Sequence, residues 1–227
     1  MNSSNLYTQA SLEVLAPPPT VQLHPLIQAT YSYVVQAADG TVVSDSGGER
    51  PCESYLQAFS KVLFHRVFAL GIGSGSSVAL TNGWLATSSD TLGMKVAGII
   101  NQATIGPLVG IGSIPVAITH SSLVTQVSHG TGANQLQHAA VTFAAPTVSG
   151  TATTFTVTRV FTNASAGALV VKEIGLGGAE DSSPTFSTST GTQGAVLIVR
   201  DLIGGGTGVS VGSGAQLTLN INLRTNV

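Results

Sequence analysis

Three histidines, His120, His129 and His138, recur at intervals of nine residues. Imidazole is a common metal ligand and titrates near neutral pH. An interval of nine matches none of the short ligand spacings of zinc sites, and no carboxylate lies near these rings in sequence to orient them. With His24 and His65 they are expected to be satisfied or exposed side chains, and no metal or cofactor is expected. Cys52 lies between Pro51 and Glu53. A neighbouring acid raises a thiol's pKa rather than activating it. As the sole cysteine, it also rules out an intramolecular disulfide.

Gly71-Ile72-Gly73-Ser74-Gly75-Ser76 has the composition of a phosphate loop. Such a loop works because a helix begins directly after it and aims its free amides at the phosphate. Ser77-Val78-Ala79-Leu80-Thr81-Asn82-Gly83 has no helical spacing, so a turn is expected. Gly204-Gly205-Gly206 reads as a loop between strands. There is no Gly-x-Ser-x-Gly elbow for a hydrolase nucleophile. The adjacent acids Glu180 and Asp181 sit among Gly, Ser and Pro and read as solvated turn residues. The expectation is a chain without catalytic residues.

The remaining charges raise a structural question. Arg159 shares a strand face with Phe155, Val157 and Phe161, and Arg200-Asp201 interrupts the apolar run Val196–Val199. A buried charge left alone costs several kcal/mol or more, so each arginine needs a partner. Glu173 is the natural acid, paired either with Arg159 or with Arg200. It would end a strand that hairpins back onto the Arg159 strand through 163–167. Asn163-Ala164-Ser165 fits the glycosylation pattern but is read as turn residues.

The elements that must hold these residues read as β almost throughout. Phe155–Phe161 alternates apolar and hydroxyl residues, and Leu217–Arg224 alternates without a break. Successive strand side chains point to opposite faces, so both are half-buried antiparallel strands. Further strands are expected over 64–72, 94–100, 116–119, 141–144, 169–174 and 196–201. Asp39-Gly40 is a strong turn dipeptide and predicts a hairpin over 30–44. Leu56, Phe59 and Leu63 recur every three or four residues behind Pro51, which predicts one short helix over 53–62. Many short strands separated by Gly, Ser and Asn clusters predict an all-β fold, an antiparallel β-sandwich of jelly-roll type, over 29–227.

Residues 1–28 differ. Pro17-Pro18-Pro19 favours extended polyproline II, and Pro25 follows. The segment reads as an extended arm whose apolar groups need something to dock on. Leu12, Val14, Leu15, Val21 and Leu23, with Pro17, Pro18 and Pro19, are its expected assembly contacts. Met1-Asn2-Ser3-Ser4 shows neither the basic nor the apolar region of a secretory signal.

Composition narrows the function classes. Charged residues make up 8% of the 227, against 43% hydrophobic, with a net charge of −2. An average soluble domain is about 25% charged. Disorder needs low hydrophobicity and high net charge, and nucleic-acid binding needs a basic stripe; neither is present. No apolar run reaches the ~20 residues of a membrane-spanning helix. Between Lys95 and Arg159 there is no Lys, Arg, Asp or Glu over the 63 residues 96–158. Charge is depleted where interface cores form, so this stretch predicts surface covered by neighbours in an assembly.

The last third carries a resemblance. Phe155–Asn163 with its Phe161-Thr162-Asn163 ending, Glu173-Ile174-Gly175-Leu176, Arg200-Asp201 and the amphipathic Gln216–Leu219 resemble structural proteins of tailed double-stranded DNA bacteriophages. Ala69–Gly75 and Asp39–Val43 resemble that group's Gly-x-Gly turn and early hairpin. The strong part covers about 70 residues. The resemblance implies a virion protein assembled in the host cytoplasm, acting in capsid decoration or at the head–neck. It implies a homo-oligomer, with a trimer favoured, that contacts the major capsid protein or neck proteins. A tail-fibre, baseplate or receptor-binding module is the alternative.

Overall fold

The computed structural model describes residues 27–52, 55–56, 78–79, 85–86, 94–180, 186–187 and 193–226. Of the expected arm, Ile27 and Gln28 instead open the first strand and pair with Thr225 and Arg224. Residues 1–26 of the arm and the expected strand over 64–72 lie outside the described residues. So does most of the expected helix. Within its span only Tyr55 and Leu56 are described, and they are extended: Tyr55 bridges Val199 and the Leu56 amide donates to the Ile198 carbonyl at 3.0 Å.

The chain is all-β, an antiparallel sandwich. Its longer strands are β1 (Ile27–Gln36), β2 (Val42–Asp45), β3 (Gly106–Gly110), β4 (Gln135–His138) and β5 (Ala152–Thr162). They continue as β6 (Leu169–Val171), β7 (Glu173–Glu180), β8 (Val196–Leu202), β9 (Val209–Val211) and β10 (Gln216–Asn226). One sheet runs β2-β1-β10-β5-β4, and Ser128–His129 closes it with a short parallel pairing onto β4. The other has β7 at its centre, with β8 on one side and β3 and Met94–Lys95 on the other. β6 and β9 form a small third pair.

The period-two alternation determines how the layers meet. Along β10, Leu217, Leu219 and Ile221 are buried, and they face inward with Tyr31, Tyr33 and Val35 of β1 and with Val157 and Phe161 of β5. Ile174 and Leu176 of β7 and Ile198 and Val199 of β8 pack onto them from the second sheet. The opposite face of the three central strands is bonded across. Thr158 Oγ1 donates to Asn220 Oδ1 at 2.7 Å, and Asn220 Nδ2 donates to Ser32 Oγ at 3.2 Å. The next rung repeats this with Thr156, Asn222 and Thr30.

The Asp39-Gly40 hairpin forms, with Gly40 at φ +85°. Ile203–Gly206 is a short 3-10 segment with positive φ at all three glycines, and it links β8 to β9. Four expectations change. Residues 116–119 form no strand. Pro115 precedes them, and the chain turns so that the His120 amide donates to the Ala117 carbonyl. The strand expected over 94–100 stops at Lys95, because the chain turns over Ile99–Gln102, with Asn101 at φ +69°. Glu180 ends β7 opposite Met94 instead of lying in a loop, while Asp181 lies outside the described residues. Finally, 163–167 does not fold the Glu173 strand back onto β5. It is a corner that carries the chain into the small β6–β9 pair and the second sheet.

Asn163 builds that corner. Its side chain is fully buried, donates to the carbonyls of Gly167 and Val211 at 2.8 Å each, and accepts from the Ser165 amide and hydroxyl. An amide committed in this way is a turn residue and not a glycan acceptor in the folded chain.

Candidate functional site

Glu173 and Arg200 form an ion pair at 2.8 Å, with both side chains fully buried. They sit on adjacent strands, and Arg200 is opposite Gly175. Further hydrogen bonds to both side chains offset the cost of burying the pair. Glu173 Oε1 accepts from the amides of Gly112 (3.1 Å) and Thr125 (2.8 Å), and Oε2 accepts from the Val124 amide (3.1 Å). Arg200 donates to the Ile114 carbonyl at 2.9 Å and to His120 Nδ1 at 2.8 Å. The Ala117 amide also donates to His120 Nδ1, so this nitrogen is an acceptor and the ring is neutral with its proton on Nε2. Burial lowers the His120 pKa. Arg200 beside it lowers it further, and Glu173 partly opposes this.

The glycines around the carboxylate are there for space. An added Cβ at Gly110 or Gly112 would come within 2.5 Å of Glu173 Oε1. The Gly110-Ile111-Gly112 spacing thus makes room for the carboxylate and lets the loop over 111–125 wrap it. The pair and its wrapping hold that loop to the second sheet.

Among the described residues Arg159 takes no carboxylate partner. The guanidinium is fully buried and donates to four main-chain carbonyls: Ala139 (2.8 Å), Ile105 (2.9 Å), Ile99 (3.1 Å) and Pro107 (3.4 Å). It also lies 5.9 Å from the Phe161 ring centroid. Of the two expected partners for Glu173, the structure supplies Arg200. Arg159 instead ties the loop over 97–107 to Ala139 just after β4, and burial pulls its pKa down to about 10, which leaves it cationic at neutral pH. Sequence reasoning asked for an acid because a carbonyl cradle leaves no mark in residue types.

The described histidines are structural as well. His138 is 2% exposed, and its ring nitrogens have no hydrogen-bond partner among the described residues. Its ring packs edge-on against Phe161 (5.0 Å) and His129 (5.7 Å). Burial pulls its pKa down to about 4, with Arg159 and His129 adding to the effect and the Gln102 main chain opposing it weakly. His129 Nδ1 accepts from the His138 amide at 3.0 Å. His24, His65 and Gly71–Ser76 lie outside the described residues. Burial, followed by Asp201 nearby, pushes the Cys52 thiol up. Among the described residues no cluster of His, Cys, Asp or Glu is arranged to hold a metal, and no helix is long and apolar enough to cross a membrane.

The expected arm contacts, Leu12, Val14, Leu15, Pro17, Pro18, Pro19, Val21 and Leu23, lie outside the described residues. The charge-free stretch does not. Of the large hydrophobic side chains left exposed among the described residues, Ile99, Ile100, Ile114, Ile118, Val124, Phe143, Val148 and Phe155 fall within it. Only Val42, Val43 and Val170 fall elsewhere. Ile99 is 69% exposed and Val148 75%. At the open end of the sandwich, an apolar groove of about 430 Å³ is lined by Ile27, Tyr55, Val96, Phe155, Ile198 and Leu223.

Compared with protein-family models, curated proteins and solved structures, the chain matches none.

Proposed function

We propose that this chain is a non-catalytic structural subunit that works by assembly, self-associating through its charge-free surface. One observation carries the reading: among the described residues, the exposed large hydrophobics concentrate where formal charge is absent. Scattered apolar residues on a soluble surface need no explanation. Their concentration in 63 residues without a single Lys, Arg, Asp or Glu is the composition of an interface core. The charges buried in this region support the same reading. Arg159 and Arg200 hold the loops over 97–107 and 111–125 in fixed positions, which presents Ile99, Ile114 and Ile118 on a rigid frame.

The particle we propose is a tailed bacteriophage virion, with the subunit in capsid decoration or at the head–neck. The support is the resemblance of 155–163, 173–176, 200–201 and 216–219. Two of these segments meet in the buried ion pair of Glu173 with Arg200, and a third supplies the buried Arg159 with its carbonyl cradle. Residues that position a frame fit an architectural role. In this reading the partners are further copies, in a trimer, together with the major capsid or neck proteins.

Quantitative mass spectrometry of purified particles tests the assignment. The chain should be present in many copies per particle. A chain abundant in infected cells but missing from particles would refute it.

A further inference from the structure

We propose that the apolar groove at the open end of the sandwich is the seat for the Leu12–Leu15 segment of a second copy. The inference rests on the assembly reading above and names the surface and the partner segment. The groove lies between the sheets. Ile27, Phe155 and Leu223 come from the large sheet, and Ile198 comes from the second. Tyr55, bridged to Val199, lines it with Val96. Its exposed lining is almost wholly hydrocarbon although Thr153, Arg224 and Thr225 also contribute to it, so an occupant must be apolar where it seats.

The chain supplies such a segment. Ile27, the first described residue, is itself a wall of the groove, and 26 residues precede it. Among these, Leu12, Val14 and Leu15 form a compact apolar group with Glu13 its one charge. In an extended chain Leu12 and Val14 share one face and Glu13 takes the other, away from the apolar lining. Pro17-Pro18-Pro19 separates this group from Ile27. Polyproline II rises ~3.1 Å per residue and does not double back. An extended Pro17-Pro18-Pro19 would hold Leu12–Leu15 away from the groove beside its own Ile27 and within reach of that of a neighbour. Each copy would then give one segment and receive one, a head-to-tail arrangement that closes into a ring where the rotation between copies allows it.

Disulfide trapping in the full-length chain tests this. The chain carries Val14→Cys and Thr153→Cys, Thr153 lining the groove, in a Cys52→Ser background. Reduced, it should melt as the Cys52→Ser parent does, which shows that the fold is intact. On mild oxidation, non-reducing electrophoresis should give a ladder of linked chains. Peptide mass spectrometry should identify disulfides joining the two introduced cysteines, one from each of two chains. Adding Phe155→Glu should abolish the ladder. A disulfide between the introduced cysteines that is confined to single chains would overturn the second-copy seat. An oligomer in sedimentation that gives no disulfide between them would overturn the groove while leaving the assembly reading standing. A monomer at every concentration would overturn both.

Discussion

Arg200 Nε donates to Glu173 Oε2 at 2.8 Å between two side chains that water does not reach. Burying two charges is costly, and the cost is recovered only when the leftover donors and acceptors are also satisfied. Here three main-chain amides, one carbonyl and one imidazole do that. Removing one partner strands the other. Arg200→Ala should cost roughly 3–5 kcal/mol. Arg224→Ala, at an exposed position on β10, should stay within about 0.5 kcal/mol. Thermal melting of the two variants decides, and equal shifts would show that the buried pair contributes nothing special.

Arg159→Met keeps much of the side-chain volume and removes every donor. Four carbonyls, those of Ile99, Ile105, Pro107 and Ala139, then lose a partner. A buried unsatisfied polar group costs about 1–3 kcal/mol, so a loss of at least ~3 kcal/mol is expected. Arg159→Lys should not restore it, because an ammonium cannot reproduce the planar fork. Denaturant titration of both variants checks this. A lysine variant as stable as the parent would mean that charge alone is needed.

Acid should loosen the fold through His138. Its pKa is about 4 in the folded chain, against an ordinary value of 6.5. The neutral ring is therefore the folded form, and its stability is complete above about pH 6.5. It is lost as pH falls toward 4, because the unfolded chain binds the proton first. The shift corresponds to about 3 kcal/mol. His120, also lowered, pushes the same way. Its protonation would turn an acceptor for Arg200 and the Ala117 amide into a donor. A His138→Phe chain, which keeps a ring between Phe161 and His129, should lose most of the drop in melting temperature between pH 7 and pH 4. A parent that melts alike at both pH values would contradict this.

The strands were legible where alternation was unbroken. Leu217–Arg224 and Phe155–Phe161 declare their inner faces residue by residue, and Asp39-Gly40 announces its hairpin. The Arg200–Glu173 pair was half legible. Charges on apolar faces demand a partner, but only topology decides between Arg159 and Arg200. The corner at Asn163 hid this choice, since a turn between two strands looks the same whether they pair or part into different sheets. His120 could not be found from its type. What marks it is the Ala117–His120 turn that places Nδ1 beside Arg200. The glycines at 110 and 112 were a readable signal, because glycines spaced by two on an apolar strand end mark close approach.

The arm should be separable from the fold. β1 begins at Ile27 and pairs with β10 from its first residue, so a truncation must stop at Leu26. A chain starting at Ile27 should melt within a few degrees of the parent yet fail to enter particles. A truncated chain that does not fold would place the arm in the core.

Sedimentation equilibrium over a wide concentration range tests the central claim most directly. The full-length chain should sediment as a trimer. Ile118→Asp or Val148→Asp, each placing a charge on an exposed residue of the charge-free stretch, should shift it toward monomer without changing its melting at low concentration. A monomer at all concentrations, or an oligomer that survives both substitutions unchanged, would contradict assembly through this surface.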